Sequence, residues 1–173
     1  MTAPVTPMLT PDQLLAHLAE TGIAAVTHRH PPLFTVAESK ALRGDLPGGH
    51  IKNLFLRDKK KNMWLVTVLE DRKIDLKALG RRLGAKGNIS FGSAERLAAA
   101  LGVTPGSVTP FAVINDSAGV VSMVLDKAVL DHDPVNAHPL TNEATTAIAP
   151  GDLLAFLEAC GHAPLILDFE DGG

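Results

Sequence analysis

The sequence predicts a mixed α/β fold of the α+β kind, on three observations. Capped segments carry apolar residues at helical spacing, short apolar runs read as strands, and hairpins are interspersed with helices instead of alternating strictly with them. Strict alternation would favour a doubly wound parallel sheet, whereas this order favours a mixed sheet flanked by helices. Thr10-Pro-Asp-Gln13 is a capping box with proline at the first helical position, and Leu14, Leu15, Leu18 and Ala19 form one stripe before Gly22 stops the helix. Residues 23–27 read as a short strand. Pro31 and Pro32 force an extended stretch, and a second capping box, Thr35 to Glu38, opens a short helix ending near Gly44. Pro47, Gly48 and Gly49 then break the chain.

Residues 50–57 and 63–69 are strand runs joined by the polar turn 58–62, a β-hairpin. Ile74, Leu76, Leu79 and Leu83 mark a helix closed by Gly84. Residues 88–91 form a strand, and 93–101 a helix that Gly102 ends. After the turn-rich stretch 104–110, residues 111–115 and 120–125 read as a second hairpin around the turn 116–119, apolar enough to be covered on both faces. Strands over 133–138 and 145–148, a helix over 152–159 stopped by Gly161, and a final strand over 165–169 complete the pattern. No repeat or linker interrupts it, so residues 1–173 are expected to form one domain, large enough to bury a core unaided.

Composition removes several classes of function. Cys160 is the lone cysteine, which excludes an intramolecular disulfide framework and a Cys-rich zinc site. Aromatic residues make up 4% of the chain, with Trp64 the sole tryptophan, which disfavours rows of base-stacking rings. No apolar run reaches the ~18 residues of a membrane span, and Met1 to Pro11 lacks the basic-then-apolar pattern of a signal peptide, so the expectation is a soluble cytoplasmic protein. Gly48 and Gly49 precede a strand, not a helix, and no Gly-rich turn ends in Gly-Lys-Ser or Gly-Lys-Thr, so dinucleotide and Walker-type sites are unsupported. No Gly-x-Ser-x-Gly elbow offers an acyl-enzyme nucleophile.

The net charge of −3 conceals a segregation. Residues 52–86 carry eleven basic and four acidic side chains, net +7, whereas beyond Phe111 Lys127 is the only basic residue against ten acids. A cationic surface on an otherwise acidic protein suits docking to a polyanion. Arg57, Lys59, Lys60, Lys61, Arg81 and Arg82 are the candidates for it; by residue type alone they read equally as a solvated hairpin tip and the wet face of a helix.

Residue types single out other candidates, each with two readings. Lys52 lies near the start of an apolar strand, either snorkelling to solvent or fixed as a cation beside a pocket, where it would hold phosphate or relieve oxyanion charge. Gly106-Ser-Val-Thr-Pro110 is either a plain turn or a loop presenting backbone donors to a ligand. His138 is either structural or a donor to a substrate group. His28, His30 and His132 read either as unrelated histidines or, with Asp131 and Asp133, as ligands of a metal-dependent hydrolase, though without the spacing of an established motif, and Cys160 reads as a small hydrophobe on the last helix.

Gly49-His-Ile-Lys-Asn-Leu-Phe-Leu-Arg-Asp-Lys59, Trp64-Leu-Val66, Gly106-Ser-Val-Thr-Pro110 and His138-Pro-Leu-x-Asn142, in this order, resemble the YbaK/prolyl-tRNA synthetase editing-domain family, and within it the free-standing Ala-tRNA(Pro) deacylases. The resemblance runs from the first helix to the last strand. It implies a curved, barrel-like mixed sheet and hydrolysis of alanine from mischarged proline tRNA, by water, without metal or organic cofactor. Lys52 then matches the family's essential lysine. Asn53 and the loop Gly106, Ser107, Val108, Thr109 and Pro110 match its substrate-holding residues, and His138 the histidine shaping the aminoacyl pocket. The implied partners are the acceptor end of proline tRNA and prolyl-tRNA synthetase, with neither DNA nor membrane. Deacylation of Cys-tRNA(Pro) or another small aminoacyl-tRNA, and a noncatalytic tRNA- or synthetase-associated module, are the alternatives.

Overall fold

The computed structural model describes residues 8–32 and 46–169. Helix α1 (Pro11–Glu20) starts on the expected capping box: Thr10 Oγ1 accepts from the Gln13 backbone N–H, and the Gln13 side chain accepts from the Thr10 backbone N–H. The chain then runs through β1 (Val26–Arg29), β2 (Gly49–Arg57), β3 (Met63–Leu69), α2 (Leu76–Leu83), β4 (Ser90–Phe91) and α3 (Ala94–Leu101). Two 3-10 turns (Pro105–Ser107 and Pro110–Asn115) lead to β5 (Val121–Asp126). A third 3-10 turn (Lys127–Asp131) precedes β6 (Val135–Ala137), β7 (Ala144–Ile148), α4 (Pro150–Ala159) and β8 (Leu165–Leu167). The second expected capping box, Thr35 to Glu38, lies outside the described residues.

The sheet is mixed, with strand order β1-β7-β6-β2-β3-β5-β8 and β4 attached to β2. The expected fold class is met. β2 and β3 are the predicted hairpin, paired in register from Ile51 opposite Leu69 to Arg57 opposite Met63. The expected second hairpin does not form. Residues 110–115 coil into a 3-10 helix with Pro110 at its first position and the Phe111 backbone N–H donating to Thr109 Oγ1, and β5 pairs in parallel with β3 and β8. Phe111, Ala112 and Val113 are fully buried in that coil. A coil buried on every side selects the same continuous apolar run as a strand covered on both faces, so hydrophobicity alone could not separate them. The strand expected over 23–27 sits two to three residues later, and the last helix begins at Pro150.

Period-two alternation gives the sheet two apolar faces. Phe55, Leu65, Met123 and Leu125 pack with α1, α3, α4 and Phe111 on one side, whereas Leu56, Trp64, Val66, Val68 and Val124 pack with Leu79 and Ile89 on the other. β2 joins two parts of the sheet along one edge. Its first residues, Gly49 and His50, pair in parallel with Val135 and Asn136 of β6, and its last, Leu56 and Arg57, pair with β4. Between these contacts, over residues 51–54, no strand among the described residues pairs with that edge.

Close approaches fix both ends of β2. Gly48 has φ +103°, and a Cβ there would be driven into the Pro134 carbonyl. The Gly92 backbone N–H donates to the Phe55 carbonyl at 2.9 Å, and a Cβ at Gly92 would strike the Phe55 ring.

Candidate functional site

Lys52 is half-buried in β2, opposite Val68 in the register with β3. Alternation puts it on the face of Leu54 and Leu56. Its ammonium makes no hydrogen bond or ion pair among the described residues. Asn53 lies on the other face. Its amide oxygen accepts from Thr67 Oγ1 at 2.6 Å and its Nδ2 donates to the Val108 carbonyl at 3.0 Å. Thr67 is fully buried, so Asn53 is a bracket that ties the 106–110 loop to the hairpin, and its amide is spent on that task. Within the loop, Ser107, Thr109 and Pro110 are buried, while Gly106 and Val108 are half-buried.

His138 follows β6 directly. The parallel pairing of Gly49 with Val135 and His50 with Asn136 attaches the start of β2 to the strand that His138 leaves. Its Nδ1 lies 2.9 Å from the Ala144 carbonyl, which can only accept, so Nδ1 carries the proton and Nε2 presents a lone pair. The His138 pKa is lowered by burial and by the neighbouring His30, against the opposing effect of the Ala144 hydrogen bond. A neutral His138 therefore donates at Nδ1 to the Ala144 carbonyl and accepts at Nε2.

The His30 ring sits 6.2 Å from that of His138, anchored by Thr145 Oγ1 at its Nε2 and by the Pro31 carbonyl at Nδ1. This neighbour went unpaired in the sequence because 108 residues separate the two histidines. β7 brings them together, pairing with β1 on one edge and β6 on the other. No group of three His, Cys, Asp or Glu side chains is arranged to hold a metal ion among the described residues. Thus Lys52 follows the part of β2 that pairs with β6, His138 follows β6 itself, and the 106–110 loop reaches β2 through Asn53 from the face opposite Lys52. A cavity of about 390 Å³ lined by Trp64, Leu83, Ser122, His162 and Leu165, among others, contains none of these residues.

The basic candidates divide. Lys59, Lys60, Lys61 and Arg81 are exposed and Arg57 is half-buried. Arg82 is committed elsewhere: its Nη1 donates to the Asp168 carbonyl at 3.0 Å, and its guanidinium, like that of Arg72, lies over the Phe169 ring. Cys160 caps the C-terminus of α4, half-buried, its thiol pushed up to about 11 by burial.

Residues 30–156 match the model of the aminoacyl-tRNA editing domain. The chain belongs to that family. It is 43% identical over 162 residues to a prolyl-tRNA synthetase associated domain-containing protein 1 from Mus musculus, covering 91% of this chain and 95% of the relative. It is 36% identical over 150 residues to the prolyl-tRNA editing protein ProX of Acetoanaerobium sticklandii, covering 86% and 91%. Among solved structures, one described as a candidate trans-editing enzyme for prolyl tRNA synthetase superposes with a TM-score of 0.67 at 20% identity, over 94% of this chain and 98% of the other. At that identity the likeness concerns the fold. The match to the editing domain spans Lys52, the 106–110 loop and His138, and among the described residues no helix is long and apolar enough to cross a membrane.

Proposed function

We propose that this protein is a trans-editing deacylase that hydrolyses alanine from mischarged proline tRNA in the cytoplasm, with prolyl-tRNA synthetase as the partner whose errors it corrects. The observation that carries the reading is the half-buried ammonium of Lys52, without a partner among the described residues, on the strand whose start pairs with β6, the strand that His138 follows, in a family built for aminoacyl-tRNA editing. The name of the bacterial relative, a prolyl-tRNA editing protein, supports the same substrate.

The chemistry needs little more. A water oxygen attacks the ester carbonyl carbon, the bond from that carbon to the terminal ribose oxygen breaks, and the ribose oxygen takes the proton, leaving alanine and free tRNA. An aminoacyl ester is already activated, so positioning and relief of oxyanion charge suffice without a covalent nucleophile. In this scheme Lys52 holds the 3′ end and the developing charge. His138 accepts a hydrogen from the attacking water or the aminoacyl ammonium, and Asn53 sets the 106–110 loop. A synthetic site made for proline cannot strongly reject a smaller residue, because a missing methylene is worth only ~1–3 kcal/mol, so a second site sized for alanine supplies the discrimination.

Deacylation of proline tRNA charged with alanine, cysteine, serine or proline tests the assignment. Alanine should be removed fastest, and Lys52→Ala should abolish turnover while leaving the circular dichroism spectrum unchanged. Wild-type single-turnover rates in Lys52→Ala would refute the role of the lysine, and preferential loss of cysteine would move the substrate to Cys-tRNA(Pro).

A further inference from the structure

Asp58, at the start of the β2–β3 turn, is 2% exposed, yet its carboxylate is fully engaged. Oδ1 accepts from the backbone N–H groups of Lys60 (2.9 Å) and Asn62 (2.8 Å), and Oδ2 accepts from Asn62 Nδ2 (2.9 Å) and the backbone N–H of Lys86 (2.8 Å). The Lys59 N–H donates to the Lys86 carbonyl at 3.1 Å, closing a second bond between the two segments. One buried acid thus knots the turn to a segment 28 residues away and gathers four exposed lysines, 59, 60, 61 and 86, at one end of the sheet. Beyond Lys86 the chain enters β4, where Phe91 is 62% exposed and, paired with Leu56, lies on the face that carries Lys52.

We infer that this end of the molecule is a tRNA-docking surface in which Asp58 positions Lys59, Lys60, Lys61 and Lys86 for phosphates and Phe91 offers its ring to an unpaired base. The inference rests on the proposed function for the identity of the RNA. Lysines alone would suit any polyanion. An exposed ring beside them favours a nucleic acid with a single-stranded end over an acidic protein. Strand rise sets the scale: Asp58 is six residues from Lys52, about 20 Å, and Leu56 is four residues away, about 13 Å. The lysines therefore stand too far from the ester to stabilise its transition state, and their contribution is uniform binding, visible in KM and not in kcat.

Binding of uncharged proline tRNA, intact or lacking its unpaired 3′ nucleotides, measured across a salt series, tests this. Lys86→Ala should weaken binding several-fold and flatten the slope of log K against log salt by roughly 0.7–0.9. Its side chain makes no bond to Asp58, so this variant keeps the knot. Asp58→Asn should flatten the slope at least as much with an unchanged circular dichroism spectrum. Phe91→Ala should lose about tenfold on intact tRNA, nothing on truncated tRNA, and keep the wild-type slope. With charged substrate, Lys86→Ala should raise KM and leave kcat. A wild-type slope in Lys86→Ala, or a loss confined to kcat, overturns the surface; should Asp58→Asn fail to fold, Lys86→Ala decides alone. Lysine-dependent binding without hydrolysis of any mischarged tRNA would sink the deacylase and keep the surface, and hydrolysis with unchanged slopes would do the reverse.

Discussion

At the scale of single residues, His138 links geometry to a pH dependence. Its pKa is lowered, so the acceptor lone pair persists below the ~6.5 of an ordinary histidine. kcat/KM for deacylation should be flat through neutrality and fall only on the acid side of that value, and a fall centred above it would contradict the neutral tautomer. Folding carries the same sign: the unfolded histidine binds a proton first, so this contribution to stability is complete above ~6.5 and is lost as pH drops. Asn53 predicts differently. Asn53→Ala strands the buried Thr67 hydroxyl and the Val108 carbonyl, and urea denaturation should show a loss of about 1–3 kcal/mol together with slower deacylation. That Lys52 stands on a strand was legible from the apolar run around it. The bracket role of Asn53 was not, because the carbonyl it holds is 55 residues away.

Among the elements, the caps and the first hairpin were readable because they are local. The Thr10 box and glycine at φ +72° and +68° after α2 and α3 are written within a few residues of where they act. The coil at 110–115 was not readable, because its burial depends on α3 and α4 packing over it. The contact of β4 with β2 gives a test at this scale. Gly92→Ala should lower the midpoint of thermal unfolding by the equivalent of about 1–3 kcal/mol, since the added methyl has only the Phe55 ring to displace. Gly151→Ala, in the first turn of α4 with open space around it, should be neutral or stabilising in the same melt.

For the whole molecule, the charge segregation visible in the sequence survives folding in altered form. Arg72 and Arg82 both turn to the Phe169 ring, and Arg72 also pairs with the buried Asp126 at 2.6 Å. The strand order predicts a gradient of protection. Amide exchange should be slowest in β3 and β5, which have neighbours on both edges and both faces, and fastest in the edge strands β1 and β8. Uniform exchange across the sheet would contradict that order. Strand order itself was beyond the sequence, since parallel pairs such as β2 with β6 join segments more than 80 residues apart.

Over residues 51–54 one edge of β2 pairs with no strand among the described residues. Lys52 and Asn53 ride, among the described residues, on a stretch laced to a neighbour along a single border, so the main chain there can be buckled sideways at less cost than elsewhere in the sheet interior. A visitor wedged into that gap would pry apart the halves led by β6 and β4, and its arrival would register as strain in the scaffold as well as in the side chains it meets.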